Sequence, residues 1–182
     1  MTLLYILFVI IILTIITTSF IIIANNNFNE YNIRINEANE NIDNTLKKRY
    51  DLLNKSIDII KEVLVKDDDD IIKTITEIRS KKLDNYELDK KLYLAIEEFN
   101  NYTDEYIELN DNNDYNKIQI NLINSETDII ALKEYYNDNV KKYNKLINKI
   151  PFNLIAKFKK YEEKQLFDIE DHKELIDNLK QR

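Results

Sequence analysis

The 182-residue chain has no cysteine and no glycine, one proline (Pro151) and one histidine (His172). Without cysteine there is no disulfide framework, no thiolate metal site and no cysteine nucleophile. Without glycine there is no phosphate-cradling loop and no dinucleotide fingerprint, because both need backbone positions that only glycine tolerates. Asn-Gly hairpin turns are excluded as well, which argues against an ordinary antiparallel sheet. A single histidine supports neither a di-iron bundle, which needs two Glu-x-x-His motifs, nor a zinc hydrolase, which usually needs two or three histidines. His172 therefore reads as a solvated tail residue.

What is present falls into two compartments. Leu3 to Ala24 is a run of aliphatic and aromatic residues broken only by Thr14, Thr17, Thr18 and Ser19. Apart from tyrosine, no ionisable side chain precedes Glu30. A hydrocarbon core of ~30 Å needs ~20 apolar residues in a helix, so the run is expected to span a membrane with little to spare. Its hydroxyls can bond back to the carbonyl one turn earlier. A cleaved signal peptide is the rival reading. It is disfavoured because Met1-Thr2 offers no basic region, the run exceeds the usual ~7–15 residues, and Ile21-Ile22-Ile23-Ala24 lacks a small-x-small site. Arg34, then Lys47, Lys48 and Arg49, follow the span, and this bias leans toward a cytoplasmic C-terminal domain.

Beyond the span the apolar residues recur at helical spacing. Tyr31, Ile35, Ala38, Ile42, Leu46, Tyr50, Leu53, Ile57, Ile60 and Leu64 step mostly by four and three, with a stutter of consecutive fours from Ala38 to Tyr50. One long helix is expected to include the span, with Asn25, Asn26 and Asn27 a weak point for a bend. Asp67 to Asp70 suits the cap and first turn of a second helix carrying Ile71, Ile75 and Ile78. Four adjacent carboxylates cannot all face one cation, so capping is preferred to a metal site. After Asp84-Asn85 a third helix turns Leu88, Leu92, Ala95 or Ile96, Phe99, Tyr102 and Tyr106 inward. Asn110 to Asp114 reads as a loop; it lacks the obligatory glycine of a calcium loop, and Leu122 stands where the bidentate glutamate belongs. The fourth helix keeps close to a heptad through Tyr115, Ile118, Leu122, Ser125, Ile129, Leu132, Tyr136, Val140, Tyr143, Ile147 and Ile150. Pro151 stops it. A short helical turn over 152–158 and an amphipathic helix around 169–179 are further expectations.

These stripes predict an all-α chain: an N-terminal transmembrane helix (1–25), continuing into an up-and-down four-helix bundle (26–160), then a charged tail (161–182). The alternative has three legs, with the second and third helices stacked end to end.

The first long helix carries Ile42-Asp43-Asn44-Thr45-Leu46-Lys47-Lys48-Arg49-Tyr50-Asp51-Leu52-Leu53, which is similar to the I-D-x-x-L-x-R-R-x-D-L-I segment of the LemA family of bacterial membrane proteins. Thr76-Glu77-Ile78-Arg79 resembles that family's T-E-A-R. Tyr136-Asn137-Asp138-Asn139-Val140-Lys141-Lys142-Tyr143-Asn144 resembles its Y-N-x-x-V-x-x-Y-N, and Ile150-Pro151-Phe152-Asn153-Leu154-Ile155-Ala156 its F-P-x-N-x-I-A. The four segments come in the right order, and with the apolar N-terminus and the order of elements the likeness covers roughly residues 1 to 170. The departures fall at bends and turns: Asn54 replaces a usual proline, a Tyr-Pro after the third helix is missing, and Lys160-Tyr161 replaces Gly-Phe. The resemblance implies an N-terminal anchor, a helical bundle usually predicted to be cytoplasmic, and no established biochemical activity.

Few side chains stand out as functional candidates. Tyr136-Asn137 and Tyr143-Asn144 lie seven residues apart on one helix face. They read as core tyrosines with flanking asparagines that bond to neighbouring helices, rather than as a recognition face. Lys141, Lys142, Lys145, Lys149, Lys157, Lys159 and Lys160 form a local reversal in a chain of net charge -7, with no acidic residue between Asn139 and Lys160. In a four-helix arrangement they return toward the membrane, where anionic head groups attract lysines; in a three-legged one they point away. A solvated helix face is the commoner outcome for such a run, and a lipid or partner contact is the alternative. Nucleic-acid binding is disfavoured by the acidic balance. The expectation is a non-catalytic scaffold or adaptor acting by protein–protein contact at the membrane, with no catalytic residue, cofactor or metal. A membrane-anchored sensory input domain is the second reading. The bilayer and unidentified proteins are the expected partners, and the apolar seams also permit a homo-oligomer.

Overall fold

The computed structural model describes residues 1–65, 70–80 and 83–170. The described residues contain helices and no strand. The helices are α1 (Thr2–Leu64), α2 (Asp70–Ser80), α3 (Asn85–Glu105), α4 (Asn113–Asn148) and α5 (Phe152–Lys159), with a 3-10 turn at Ile107–Asp111 between α3 and α4. The chain packs as two units that are not contiguous in sequence: one comprises 1–37 with 136–166, the other 38–135 with 167–182.

α1 runs without interruption through Asn25, Asn26 and Asn27. Side chains in its first five turns are exposed, including Leu4, Phe8 and Ile16, and it is the one described helix long and apolar enough to cross a membrane. The hydroxyls turn inward on the backbone as expected: Thr14 Oγ1 donates to the Ile11 carbonyl at 2.7 Å and Thr17 Oγ1 to that of Leu13 at 2.9 Å. Burial begins at Ala24 and Phe28.

In the unit built on 38–135, the buried stripe of α1 is Ala38, Ile42, Leu46, Leu53, Ile57 and Ile60. Also buried in this unit are Ile71, Ile75 and Ile78 of α2, Leu92, Ala95, Ile96 and Phe99 of α3, and Tyr115, Ile118, Leu122 and Ile129 of α4. Helix directions follow from cross-helix pairs. Arg49 bonds Glu126, and Asn41, Thr45 and Lys48 share a shallow groove with Asp128 and Leu132, so α1 and α4 are antiparallel. Asp89 meets Lys133 and Phe99 meets Tyr115, so α3 and α4 are antiparallel too. Asn85 Nδ2 donates to Asn39 Oδ1 at 3.2 Å, which starts α3 beside the middle of α1. α2 lies alongside α3, since Thr74, Glu77 and Ile78 line one groove with Lys91 and Leu94. Short connections make such neighbours antiparallel. The order is up-down-up-down, and the end-to-end alternative for the second and third helices does not occur.

Capping explains the boundaries. Asp84 is the N-cap of α3 and accepts from the Glu87 amide at 2.9 Å. Asn112 does the same for α4, its Oδ1 accepting from the Asp114 and Tyr115 amides at 3.0 Å. α4 ends at Asn148, before Ile150, because the residue preceding a proline is pushed out of the helical region. Ile150, expected on the inward stripe, is therefore 77% exposed. The capping role expected for Asp67, Asp68 and Asp69, the tail helix over 169–179 and His172 lie outside the described residues, apart from the start of that tail.

The other unit joins the first part of α1 to the end of α4, α5 and the segment 160–166. It is held by rings. Phe28, fully buried, meets Tyr143 edge-on at 5.8 Å and Tyr161 at 4.9 Å. Phe20 meets Phe152 of α5 at 5.3 Å. Residue numbers rise on α1 as they fall on the returning chain, so the pairing is again antiparallel.

Candidate functional site

Four ionisable side chains meet inside the helical core where the apolar stripes were expected to be unbroken. Arg49 of α1 and Glu126 of α4 are 0% and 1% exposed, and the Arg49 Nη2 donates to Glu126 Oε2. Lys133 of α4 and Asp89 of α3 are 0% and 8% exposed, with Nζ donating to Asp89 Oδ2 at 2.5 Å. Two positive and two negative charges cancel. Burial pushes the Arg49 guanidinium below its ordinary range, and Glu126 and Asp89 pull it back. Burial likewise lowers Lys133, opposed chiefly by Asp89. Removing charges from water costs several kcal/mol per ion unless each is paired and hydrogen-bonded, at roughly the scale of the whole stability. The satisfaction is incomplete: Arg49 Nε and Nη1 are buried and make no hydrogen bond among the described residues.

Three of these residues, Arg49, Asp89 and Lys133, sit one step from the apolar neighbour expected at the seam, and Glu126 sits beside the expected and buried Ser125. Arg49 takes the buried place beside half-buried Tyr50, Asp89 the place beside Leu88, and Lys133 the place beside Leu132. The signal was available in the spacing. Arg49 is three residues after Leu46 and four before Leu53, so it continues the stripe as well as tyrosine does. Chemically the arrangement ties α1 to α4 and α4 to α3 at fixed heights. Its carboxylates are engaged with cations, away from solvent.

Lys133 also joins the tail to the bundle. Its Nζ donates to the Asp168 carbonyl at 3.3 Å and lies 5.8 Å from the Phe167 ring centre. Phe167 is buried and stacks on Tyr86 of α3 at 4.1 Å. The segment after α5 is thus packed down, and the sequence carried no periodic signal for it.

The Tyr-Asn pairs divide their work. Tyr136 and Tyr143 are buried, as expected of core residues. Tyr143 is pushed above the usual phenol range, mainly by burial, with a hydrogen bond to Asn32 opposing and Tyr161 adding to the rise. Asn137 is buried too. Asn144 bonds to the tail backbone rather than to a neighbouring helix: its Nδ2 donates to the Lys164 carbonyl and its Oδ1 accepts from the Lys164 amide, both at 2.9 Å. Lys164 Nζ then lies 5.4 Å from the Tyr143 ring centre.

The lysines singled out by charge are all exposed. Lys141, Lys142 and Lys145 are on α4, Lys149 is just beyond it, Lys157 and Lys159 are on α5, and Lys160 is its C-cap. All seven belong to the unit that contains the apolar start of α1. Lys160 occupies the left-handed region, φ 55° and ψ 41°, and the Tyr161 amide donates to the Ala156 carbonyl at 2.9 Å. That is the position usually filled by glycine in a helix-terminating Schellman turn.

The family model for the LemA family matches residues 38–178. The chain belongs to the LemA family. The four segments that resembled LemA sequences lie inside the match, and so do Arg49, Asp89, Glu126 and Lys133. A search of curated proteins finds no match. The departure of this LemA chain from Gly-Phe falls on the left-handed residue, where a lysine bears the conformation that glycine adopts freely.

Proposed function

We propose that the chain is a single-pass membrane protein whose helical units serve as a non-catalytic scaffold or adaptor, binding other proteins on the cytoplasmic side of the membrane. The observation that supports this reading is the continuity of α1. Its first turns expose apolar side chains on all faces, and the same unbroken helix supplies Ile42, Leu46, Leu53 and Ile60 to the core. A helix apolar all round belongs in lipid, whereas one with a single apolar stripe belongs against other helices. Such a helix tethers whatever binds its partner helices. The buried ionisable groups support a scaffold role in a second way: they pair with one another and are spent on holding helices in register.

Two experiments test the reading. Proximity labelling from the full chain, followed by pull-down in mild detergent, should return a reproducible set of protein neighbours; none beyond the background of an unrelated anchored protein sinks the adaptor role. The absence of native cysteine makes topology direct to measure. Asn101→Cys, at an exposed position on α3, should resist a membrane-impermeant maleimide in intact cells and react after lysis. Labelling in intact cells would place the bundle outside and shift the balance to a sensory input domain.

A further inference from the structure

We infer that α5 is an interfacial helix, inserted edgewise into the anionic leaflet from which α1 emerges. The inference rests on the membrane-spanning reading of α1 and adds a second lipid contact to it.

The placement comes from the rings. Phe152, the first residue of α5, packs on Phe20, which lies inside the apolar run and four residues short of its end at Ala24. Four residues rise about 6 Å along a helix. With the run in the bilayer, Phe20 lies just below the head groups, and so does the start of α5. On the other side, Phe28 lies four residues past Ala24, about 6 Å above it, and it packs on Tyr143. The chain from Tyr143 to Phe152 therefore descends through the interface.

The surface of α5 fits that depth. Ala156 is buried and Phe152 half-buried against the unit, whereas Ile150, Leu154 and Phe158 are 77%, 65% and 85% exposed. Leu154 and Phe158 stand four residues apart on one face of α5, and Ile150 precedes them in the turn before the helix. In water this would be an unexplained apolar edge on an eight-residue helix. Around it are Lys149, Lys157, Lys159 and Lys160, all exposed, with no acidic residue from Asn139 to Lys160. An apolar face rimmed by lysines is the chemistry of a helix that lies in the head-group plane. Charge complementarity selects an anionic lipid surface over an apolar protein groove as the occupant. Lys142 and Lys145 lie beside Tyr143 on α4, within about a Debye length, ~8–10 Å, of the same surface.

The test uses the full chain in vesicles, with single cysteines carrying an environment-sensitive fluorophore and spin-labelled lipid as quencher. Leu13→Cys reports the span, Leu154→Cys and Phe158→Cys report α5, and Asn101→Cys reports the aqueous domain. All four positions are exposed, so the core is left intact. Leu13, Leu154 and Phe158 labels should lose most of their emission, and the Asn101 label should not. Quenching at 154 and 158 should deepen when phosphatidylglycerol replaces part of the phosphatidylcholine. The triple change Lys157→Gln, Lys159→Gln, Lys160→Gln should abolish that increment. Labels at 154 and 158 as bright as at 101, with the Leu13 label quenched, overturn the inference and leave the span standing. An unquenched Leu13 label removes the span and the inference together. Quenching at 154 and 158 that ignores both phosphatidylglycerol and the triple change overturns the role given to the lysines.

Discussion

The buried pair of Arg49 and Glu126 makes a prediction whose size and sign both follow from burial. Arg49→Met leaves the Glu126 carboxylate at a site 1% exposed to water with its charge partner gone. Breaking a buried ion pair by removing one partner costs about 3–5 kcal/mol. For a domain of this size that is a fall of roughly 6–20 °C in the melting temperature. The double change Arg49→Met, Glu126→Met should restore the wild-type value or exceed it by about 1–4 kcal/mol, because it also removes the buried Nε and Nη1 that find no acceptor among the described residues.

Unfolding followed by circular dichroism at 222 nm, with the full chain in mild detergent, completes the double-mutant cycle. The control is Arg34→Met. Arg34 and Glu30 are equally well placed at 2.5 Å, but they are 45% and 57% exposed. An exposed pair one helical turn apart is worth only about 0.3–0.5 kcal/mol. If Arg49→Met costs no more than Arg34→Met, or if the double variant loses the sum of the two single losses, the argument from burial is wrong.

Further expectations concern the returning chain. Lys160→Gly should raise stability by about 1 kcal/mol, since Lys160 is held at φ 55° and left-handed backbone penalises a residue with a Cβ; a loss on unfolding by denaturant would count against the turn. Asn144→Ala removes two hydrogen bonds to the backbone of Lys164, so deuterium exchange at the Lys164 amide should accelerate while the centre of α3 is unchanged. Tyr143 titrates above the usual phenol range, so it favours the folded state fully below the unfolded value of ~10. That contribution is lost as the pH climbs from there through the raised folded value, and Tyr143→Phe should remove the corresponding part of the alkaline decline.

The apolar half of this architecture was legible from spacing alone. Ile35, Ala38, Ile42 and Leu46 on α1, Ile71, Ile75 and Ile78 on α2, and Tyr115 through Ile129 on α4 are buried where a helical period put them. The charged half was not, for a physical reason. Successive helix residues are 100° apart, so two neighbours share the edge of one stripe, and a reading of one helix awards the place to the apolar neighbour. Arg49, Asp89 and Lys133 can be buried only because an opposite charge on another helix meets each of them, and no single stripe contains that information. The choice between four legs and three also depended on pairing: helix lengths allowed both, and the groove shared by α2 and α3 decided it. The lysines were legible as a charge run, but their neighbour Ile150 read as part of the inward stripe, and it is exposed because α4 ends at Asn148.

The two kinds of buried contact imply different tolerances to change. Rings such as Phe28, Tyr143 and Tyr161 are held by area and shape, so a swap of similar volume keeps most of the stabilisation. The charges of Arg49, Glu126, Asp89 and Lys133 are held by each other, and none can be exchanged singly without stranding a partner in the core. A buried ionic set of this sort contributes little net stability over an apolar one, but it penalises any sliding of α4 against α1 or α3. One helical turn of slip, ~5.4 Å, would separate both pairs at once. For the adaptor role proposed above, fixed register matters more than maximal stability, because a partner would read the spacing of side chains across neighbouring helices. A variant with all four charges replaced by methionine should then fold at least as stably, yet show loosened register as broadened distance distributions between spin labels on α1 and α4; narrow, unchanged distributions would assign the four charges no part in setting register.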